Sequence, residues 1–164
     1  MTTIERRSES GVASTKDDFE KFFKIRGTYT IRDGVYDVEG DVLLLRDLRS
    51  SPFKFVPLLR DGESSPFKFG TVTGTFDCSD RGLTSLEGAP VKVGGNFWCR
   101  GNNLNYLIGA PKEVGGAFGC DGNILLSLKG APVKVGGSFW CNNNELTTLK
   151  GAPEEVGGSF FCDR

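Results

Sequence analysis

The cysteines Cys78, Cys99, Cys120, Cys141 and Cys162 each stand 21 residues after the last, and this spacing constrains the fold more than any other feature of the chain. Around them the phase is strict. Phe76, Phe97, Phe118, Phe139 and Phe160 precede each cysteine by two residues. Leu83, Leu104, Leu125 and Leu146 follow it by five, and Leu86, Leu107, Leu128 and Leu149 by eight. An Ala-Pro pair and then a valine trailed by Gly-Gly complete the unit F-x-C-x-x-N-x-L-x-x-L-x-G-A-P-x-x-V-G-G-x. A fixed period of about 20–50 residues marks a repeat architecture, in which each unit buries its apolar face only against its neighbours.

The unit implies its own local structure. Phe-x-Cys has the period of a strand, so both side chains point to one face. The two leucines, three apart, face the same core across a bent segment. Glycine at the head of Gly-Ala-Pro supplies a turn, and proline forbids a helix there. The Gly-Gly pair is expected to make a tight corner through unusual dihedrals. Stacked coils then pair their strands in parallel, about 4.8 Å apart. Asn102, Asn123 and Asn144 fall three residues after a cysteine, where an amide bonds backbone groups down the stack. Arg81 holds that place in the first unit, so the amide ladder is expected to start at Asn102.

The unit resembles the short bacterial type of leucine-rich repeat, with Phe and Cys at strand positions that are usually Leu and Leu or Val. More narrowly, its wording resembles repeat proteins encoded by T4-like tailed phages. The resemblance covers about residues 18 to 164. It implies a mainly β, right-handed, leucine-rich-repeat-like solenoid of about five 21-residue coils with parallel strands. It also implies a short helix and strands ahead of the repeats, matching Asp18 to Ile25, Tyr29 to Ile31 and Val35 to Val42. It carries no catalytic residue across.

Four segments follow. Residues 1–14 are expected to be a disordered tail. Residues 15–45 are expected to form an N-terminal cap of helix plus β-hairpin: Thr15 opens the helix, Phe19, Phe22 and Phe23 make its apolar face, and Gly27 ends it. Asp33-Gly34 is a hairpin turn signal. Residues 46–70 hold a near-duplication, Ser50 to Phe55 recurring 14 residues later as Ser64 to Phe69, and are expected to be irregular. Residues 71–164 form the solenoid.

Composition then removes several functions. The chain has no histidine, which removes Ser-His and Cys-His devices and histidine metal sites. No acid-base or nucleophile-base pair is evident, so an enzyme is not expected, and no cofactor or metal. A net charge of −1 argues against nucleic acid as partner. No apolar run approaches the roughly 20 residues of a membrane span, and Met1 to Lys16 is too polar for a secretory leader. Five cysteines cannot all pair, and a ladder of aligned side chains suits neither disulfides nor tetrahedral zinc. Reduced, buried thiols imply a cytoplasmic setting, that of the host if a phage encodes the chain.

What remains is a surface. If Phe97 and Cys99 point inward, the column Asp77, Trp98, Gly119, Trp140, Phe161 points outward, flanked by Arg100, Asp121, Asn142 and Asp163. Three large aromatics beside an arginine mark an interface; the alternative is that they shield the backbone or pack on residues 46–69. The leading expectation is a non-enzymatic module that docks a protein partner, a host protein or defence target under the phage resemblance. Two others stay open: a small planar ligand such as a nucleotide held between Trp98 and Trp140 over Gly119, and a virion or assembly component. Lys92, Glu113, Lys134 and Glu155 form an alternating column that keeps register. Phe160, Phe161, Leu146 and Leu149 lie in the last coil and are expected to form the edge of a homodimer.

Overall fold

The computed structural model describes residues 22–45 and 68–163. Two ten-residue strands come first, β1 (Phe23–Arg32) and β2 (Val35–Leu44), then β3 (Lys68–Val72). From there each repeat contributes two short strands. The Phe-x-Cys positions form β4 (Phe76–Asp77), β6 (Phe97–Trp98), β8 (Phe118–Gly119), β10 (Phe139–Trp140) and β12 (Phe160–Phe161). The valines before Gly-Gly form β5 (Lys92–Val93), β7 (Glu113–Val114), β9 (Lys134–Val135) and β11 (Glu155–Val156). Among the described residues these make one sheet in the order β11-β9-β7-β5-β3-β2-β4-β6-β8-β10-β12, with β1 beside β2.

The repeats stack in register. Phe76 pairs with Phe97, Phe97 with Phe118 and Phe118 with Phe139, all in parallel. The result is a mainly β solenoid of about four turns. The expectation was about five; five Phe-x-Cys strands enclose four complete circuits. In the Phe-x-Cys strands each coil donates to the next, as Cys99 N–H does to the Gly119 carbonyl, 2.9 Å. In the valine strands each coil donates back, as Gly115 N–H does to the Val93 carbonyl, 2.9 Å.

Inside, like packs on like. The rings of Phe76, Phe97, Phe118, Phe139 and Phe160 form a continuous stack with centroids 5.1–5.5 Å apart and planes within 6–11° of parallel. The leucine pairs Leu83 and Leu86, Leu104 and Leu107, and Leu125 and Leu128 are buried beside them. Burying one such side chain contributes about 1.5–3 kcal/mol, so a unit with three of them stabilises its neighbours on both sides.

Two glycine positions serve different needs. The glycine before Ala-Pro lies at φ of 87–93° in all four repeats, where a side chain would be strained. The Gly-Gly corner does not use the left-handed region, contrary to the expectation of unusual dihedrals. Its glycines are there because the corners stack too closely for a side chain. A Cβ on Gly115 would collide with the Gly94 carbonyl oxygen, and one on Gly136 with that of Gly115.

Of the expected N-terminal helix only Phe22 is helical among the described residues; Phe23, expected in its apolar face, begins β1 instead, and the part of the expected helix up to residue 21 lies outside the described residues. The physical reason is the antiparallel pairing of β1 with β2 along their whole length, from Phe23 opposite Leu44 to Arg32 opposite Val35. Asp33 (φ 50°) and Gly34 (φ 75°) close this hairpin in the two-residue turn with both φ positive. β2 is also the first layer of the solenoid: β3 lies along its first half and β4 along its second. Gly27 and Gly40, paired across the hairpin, let both strands turn at the level of the Gly-Gly corners. The Gly74 N–H donates to the Gly40 carbonyl, and Gly95 to Gly74, Gly116 to Gly95, Gly137 to Gly116 and Gly158 to Gly137. Phe22 and Phe23 are buried, Phe23 edge-on to Phe69 at 5.1 Å.

Within the segment expected to be irregular, Lys68–Val72 is a regular strand. The duplication up to residue 67 and the expected disordered tail lie outside the described residues. No helix among the described residues is long and apolar enough to cross a membrane.

Candidate functional site

The alternation of the Phe-x-Cys strand decides which side chains reach solvent. Phe97, Cys99, Phe118, Cys120, Phe139 and Cys141 are buried, while Trp98 and Trp140 between them are half-buried on the outer side. Register pairing places Asp77 beside Trp98, Trp98 beside Gly119, Gly119 beside Trp140, and Trp140 beside Phe161. All the expected binding residues are therefore neighbours on one strip.

The strip is packed against itself. The Trp140 and Phe161 rings stack with centroids 4.1 Å apart. The Arg100 guanidinium lies 4.1 Å from the Trp98 ring centroid and 5.8 Å from that of Trp140, a cation–π geometry. Gly119 makes room for this. A Cβ there would lie 2.6 Å from Arg100 Nε and 2.6 Å from Trp98 Cε3. The gap expected over Gly119 for a planar ligand is thus filled by the chain's own Trp98 and Arg100.

Polar atoms along the strip are incompletely matched. Arg100 Nε is 2.8 Å from Asp121 Oδ1, an ion pair whose N–H is not aligned for a hydrogen bond. Arg100 Nε, Asp121 Oδ1 and Asn142 Oδ1 are each shielded from solvent without a hydrogen-bond partner among the described residues. Asp77 is engaged locally, its Oδ1 accepting from Ser79 N–H at 3.0 Å. The flanking column on the other side is structural. Asn96 Oδ1 accepts from Ala117 N–H at 2.8 Å, and Ser138 Oγ from Ser159 N–H at 3.1 Å.

The other singled-out groups hold the scaffold. Asn123 Oδ1 accepts from Leu104 N–H, and its Nδ2 donates to the Cys99 and Cys120 carbonyls, all at 3.0 Å. Asn102 and Asn144 repeat the pattern. Arg81 stands in for the missing amide: its Nε reaches back 2.7 Å to the Leu44 carbonyl. Lys92 pairs with Glu113 at 2.7 Å and Lys134 with Glu155, both in solvent. Lys92 holds the Glu113 carboxyl below its ordinary pKa, and Glu155 raises that of Lys134.

Four thiols, Cys78, Cys99, Cys120 and Cys141, are buried and Cys162 is exposed. Each buried thiol donates to a carbonyl one coil on, as Cys120 Sγ does to Trp140 at 3.3 Å. Burial pushes the pKa values of Cys78, Cys99 and Cys120 well up, and that of Cys141 to about 12. Such thiols are poor nucleophiles. Among the described residues no group of His, Cys, Asp and Glu converges to hold a metal ion.

Of the expected dimer edge, Phe160 is 37% and Leu149 49% exposed, and Leu146 and Phe161 are half-buried. A cavity of about 230 Å³ opens there, lined by Cys141, Asn144, Leu146, Thr148, Leu149 and Cys162. The position of Arg100 between the two tryptophans was not foreseen. Its signal is in the sequence all the same: a glycine between two tryptophans in one column, with an arginine two residues after the first. The chain matches no family model, no curated protein and no solved structure.

Proposed function

We propose that this protein is a non-enzymatic binding module whose outer strand face docks a protein partner. The observation that carries the reading is the single column of Trp98, Trp140 and Phe161 with Arg100 held against the rings. Arginine and tryptophan dominate the energetics of protein interfaces, and an inert solenoid surface needs neither. Under the resemblance to phage repeat proteins, the partner is a host protein, one of its defence proteins included. The setting is then the host cytoplasm, which accords with four buried thiols.

The test is capture from a cell lysate by the intact chain, compared with Trp98→Ala and Trp140→Ala. Each variant is expected to weaken capture by about 30-fold or more, the equivalent of a hot spot of about 2 kcal/mol. Full retention by both variants overturns the docking face.

A second reading concerns the last coil. Exposed Phe160 and Leu149, with β11 and β12 having no further strand beside them among the described residues, support pairing with a second copy of the chain. Open strand edges invite such pairing, and a two-fold axis closes it. Light scattering over a range of concentrations is expected to show a dimer that Phe160→Lys dissociates. A monomer throughout rules this reading out.

A further inference from the structure

The strip contains the same arrangement twice, once with a cation and once without. In the first copy Trp98 is followed two residues later by Arg100, and Asp121 sits in the next coil against the guanidinium. Two coils along, Trp140 takes the place of Trp98, Asn142 that of Arg100, and Asp163 that of Asp121. The ring and the carboxylate recur and the guanidinium does not. Asn142 Oδ1 is left shielded from water and without a hydrogen-bond donor, and such a shielded acceptor is costly until a donor reaches it. One substitution accompanies the change: Phe161 stands where Gly119 stands, and its ring stacks on Trp140. An incoming cation therefore lies along the paired rings rather than over a glycine.

The charge around this second copy points the same way. Asp77, Asp121 and Asp163 line the two outer columns against the single cation Arg100, which Asp121 already engages. Asn142 Oδ1, which no donor among the described residues reaches, is an acceptor. A surface with a spare acceptor, uncompensated carboxylates and aromatic faces favours a cation that also donates hydrogen bonds, and guanidinium does both in a planar form suited to aromatic rings. We infer that the Trp140–Asn142–Asp163 position receives an arginine side chain of the protein partner, repeating in the complex what Arg100 does within the chain. This deepens the docking-face reading and rests on it.

The two tryptophans of the chain both lie on the strip, so their indole N–H resonances report on it directly. The intact chain is titrated with an acetylated, amidated glycine-serine peptide carrying two arginines, and with counterparts carrying two lysines or two glutamates. The arginine peptide is expected to shift the Trp140 resonance more than that of Trp98, and the glutamate peptide to shift neither. Asn142→Arg supplies the missing guanidinium from within. It is expected to fold with an unchanged melting temperature and to bind the arginine peptide about tenfold or more weakly. Asp163→Asn is expected to weaken it about threefold, within the range of a single cation–π or carboxylate contact. Equal shifts from arginine and glutamate peptides, no shift of Trp140, or undiminished binding by folded Asn142→Arg each overturn the inference. Should lysate capture still depend on Trp98 and Trp140 in that event, the docking face stands and only its arginine ligand falls.

Discussion

The inner and outer faces of the same strands obey different rules. Inward, the coils are alike: phenylalanine on phenylalanine, a buried thiol bonded to the next coil, and from Asn102 onward one asparagine amide stitching each coil to the one before it. Outward, no two adjacent coils agree, and the column runs Asp77, Trp98, Gly119, Trp140, Phe161. Packing explains the first face completely. A ring or a thiol that must stack on its own copy about 4.8 Å away tolerates little variation. Packing does not require the second face to vary, nor to hold tryptophan. The difference separates what builds the solenoid from what the solenoid presents.

The comparison breaks most sharply at the glycines. Gly115 sits at a stacked corner, and a side chain there meets the Gly94 backbone oxygen. Backbone cannot step aside without parting two coils. Gly115→Ala is expected to cost on the order of 3 kcal/mol, the upper range for overpacking, and chemical denaturation measures it. A loss below about 1 kcal/mol would show that the corners are looser than their hydrogen-bond ladder implies.

Next in size is the amide ladder. Asn123→Ala leaves Leu104 N–H without its acceptor and removes a donor from the Cys99 and Cys120 carbonyls. Orphaned buried groups of this kind cost about 1–3 kcal/mol each, so a destabilisation of about 2–3 kcal/mol is expected. Asn144→Ala, in the half-exposed last coil, is expected to cost less. Equal losses at the two sites would mean that burial does not grade the ladder.

The thiols give the inner face a pH signature. Burial raises their pKa values in the folded chain, so above the ordinary thiol pKa of about 8.5 the unfolded chain loses protons that the folded chain keeps. The unfolded state then binds fewer protons, and stability falls as pH rises. It is fully present below about pH 8.5 and declines by up to about 1.4 kcal/mol per pH unit for each buried thiol. Cys120→Ala is expected to flatten the slope by one thiol's share. Denaturation between pH 8 and 10.5 checks both points, and a flat profile would place the thiols in contact with solvent.

Much of the inner face was readable from periodicity, because one phase recurs in every unit and each position has a single packing role. The orientation of Phe, Cys and both leucines, the asparagine ladder and the Lys92–Glu113 column all follow from it. The N-terminal region was not readable in this way. Phe23 fits a helical face as well as a strand, and only the partner strand β2 decides for the strand. The hairpin also joins the stack at a separation of 34 residues, as Asp37 to Thr71 and Asp41 to Thr75 show, so the 21-residue phase does not extend to it. The Gly-Gly corner is legible in its position and not in its cause: dihedral freedom is a local property, whereas crowding between coils appears only once they stack. On the outer strip, strand alternation identified the residues that face out. It did not show that Arg100 would turn back over Gly119, because that depends on a side chain two coils away.

The smallest expected effect is the most informative about the outer face. Gly119 lies in a strand like any coil residue, yet the atoms nearest a new Cβ are all side chain: Arg100 Nε and Trp98 Cε3 at 2.6 Å, and Trp98 Cζ3 at 2.8 Å. Both side chains are half-buried with solvent on one side, so they can yield where backbone cannot, and Gly119→Ala is expected to change stability by less than about 1 kcal/mol. Part of that change is favourable, since alanine loses less backbone freedom on folding than glycine. What should change is the strip. Displacing Arg100 from between the rings alters the environment of both tryptophans, and their fluorescence spectrum is expected to shift while the melting curve stays in place. A melting temperature that falls as far as that of Gly115→Ala would mean the outer column is part of the scaffold after all. A folded variant with unshifted fluorescence would mean that Arg100 does not rest between the tryptophans, and the strip would lose the feature on which its role as an interface depends.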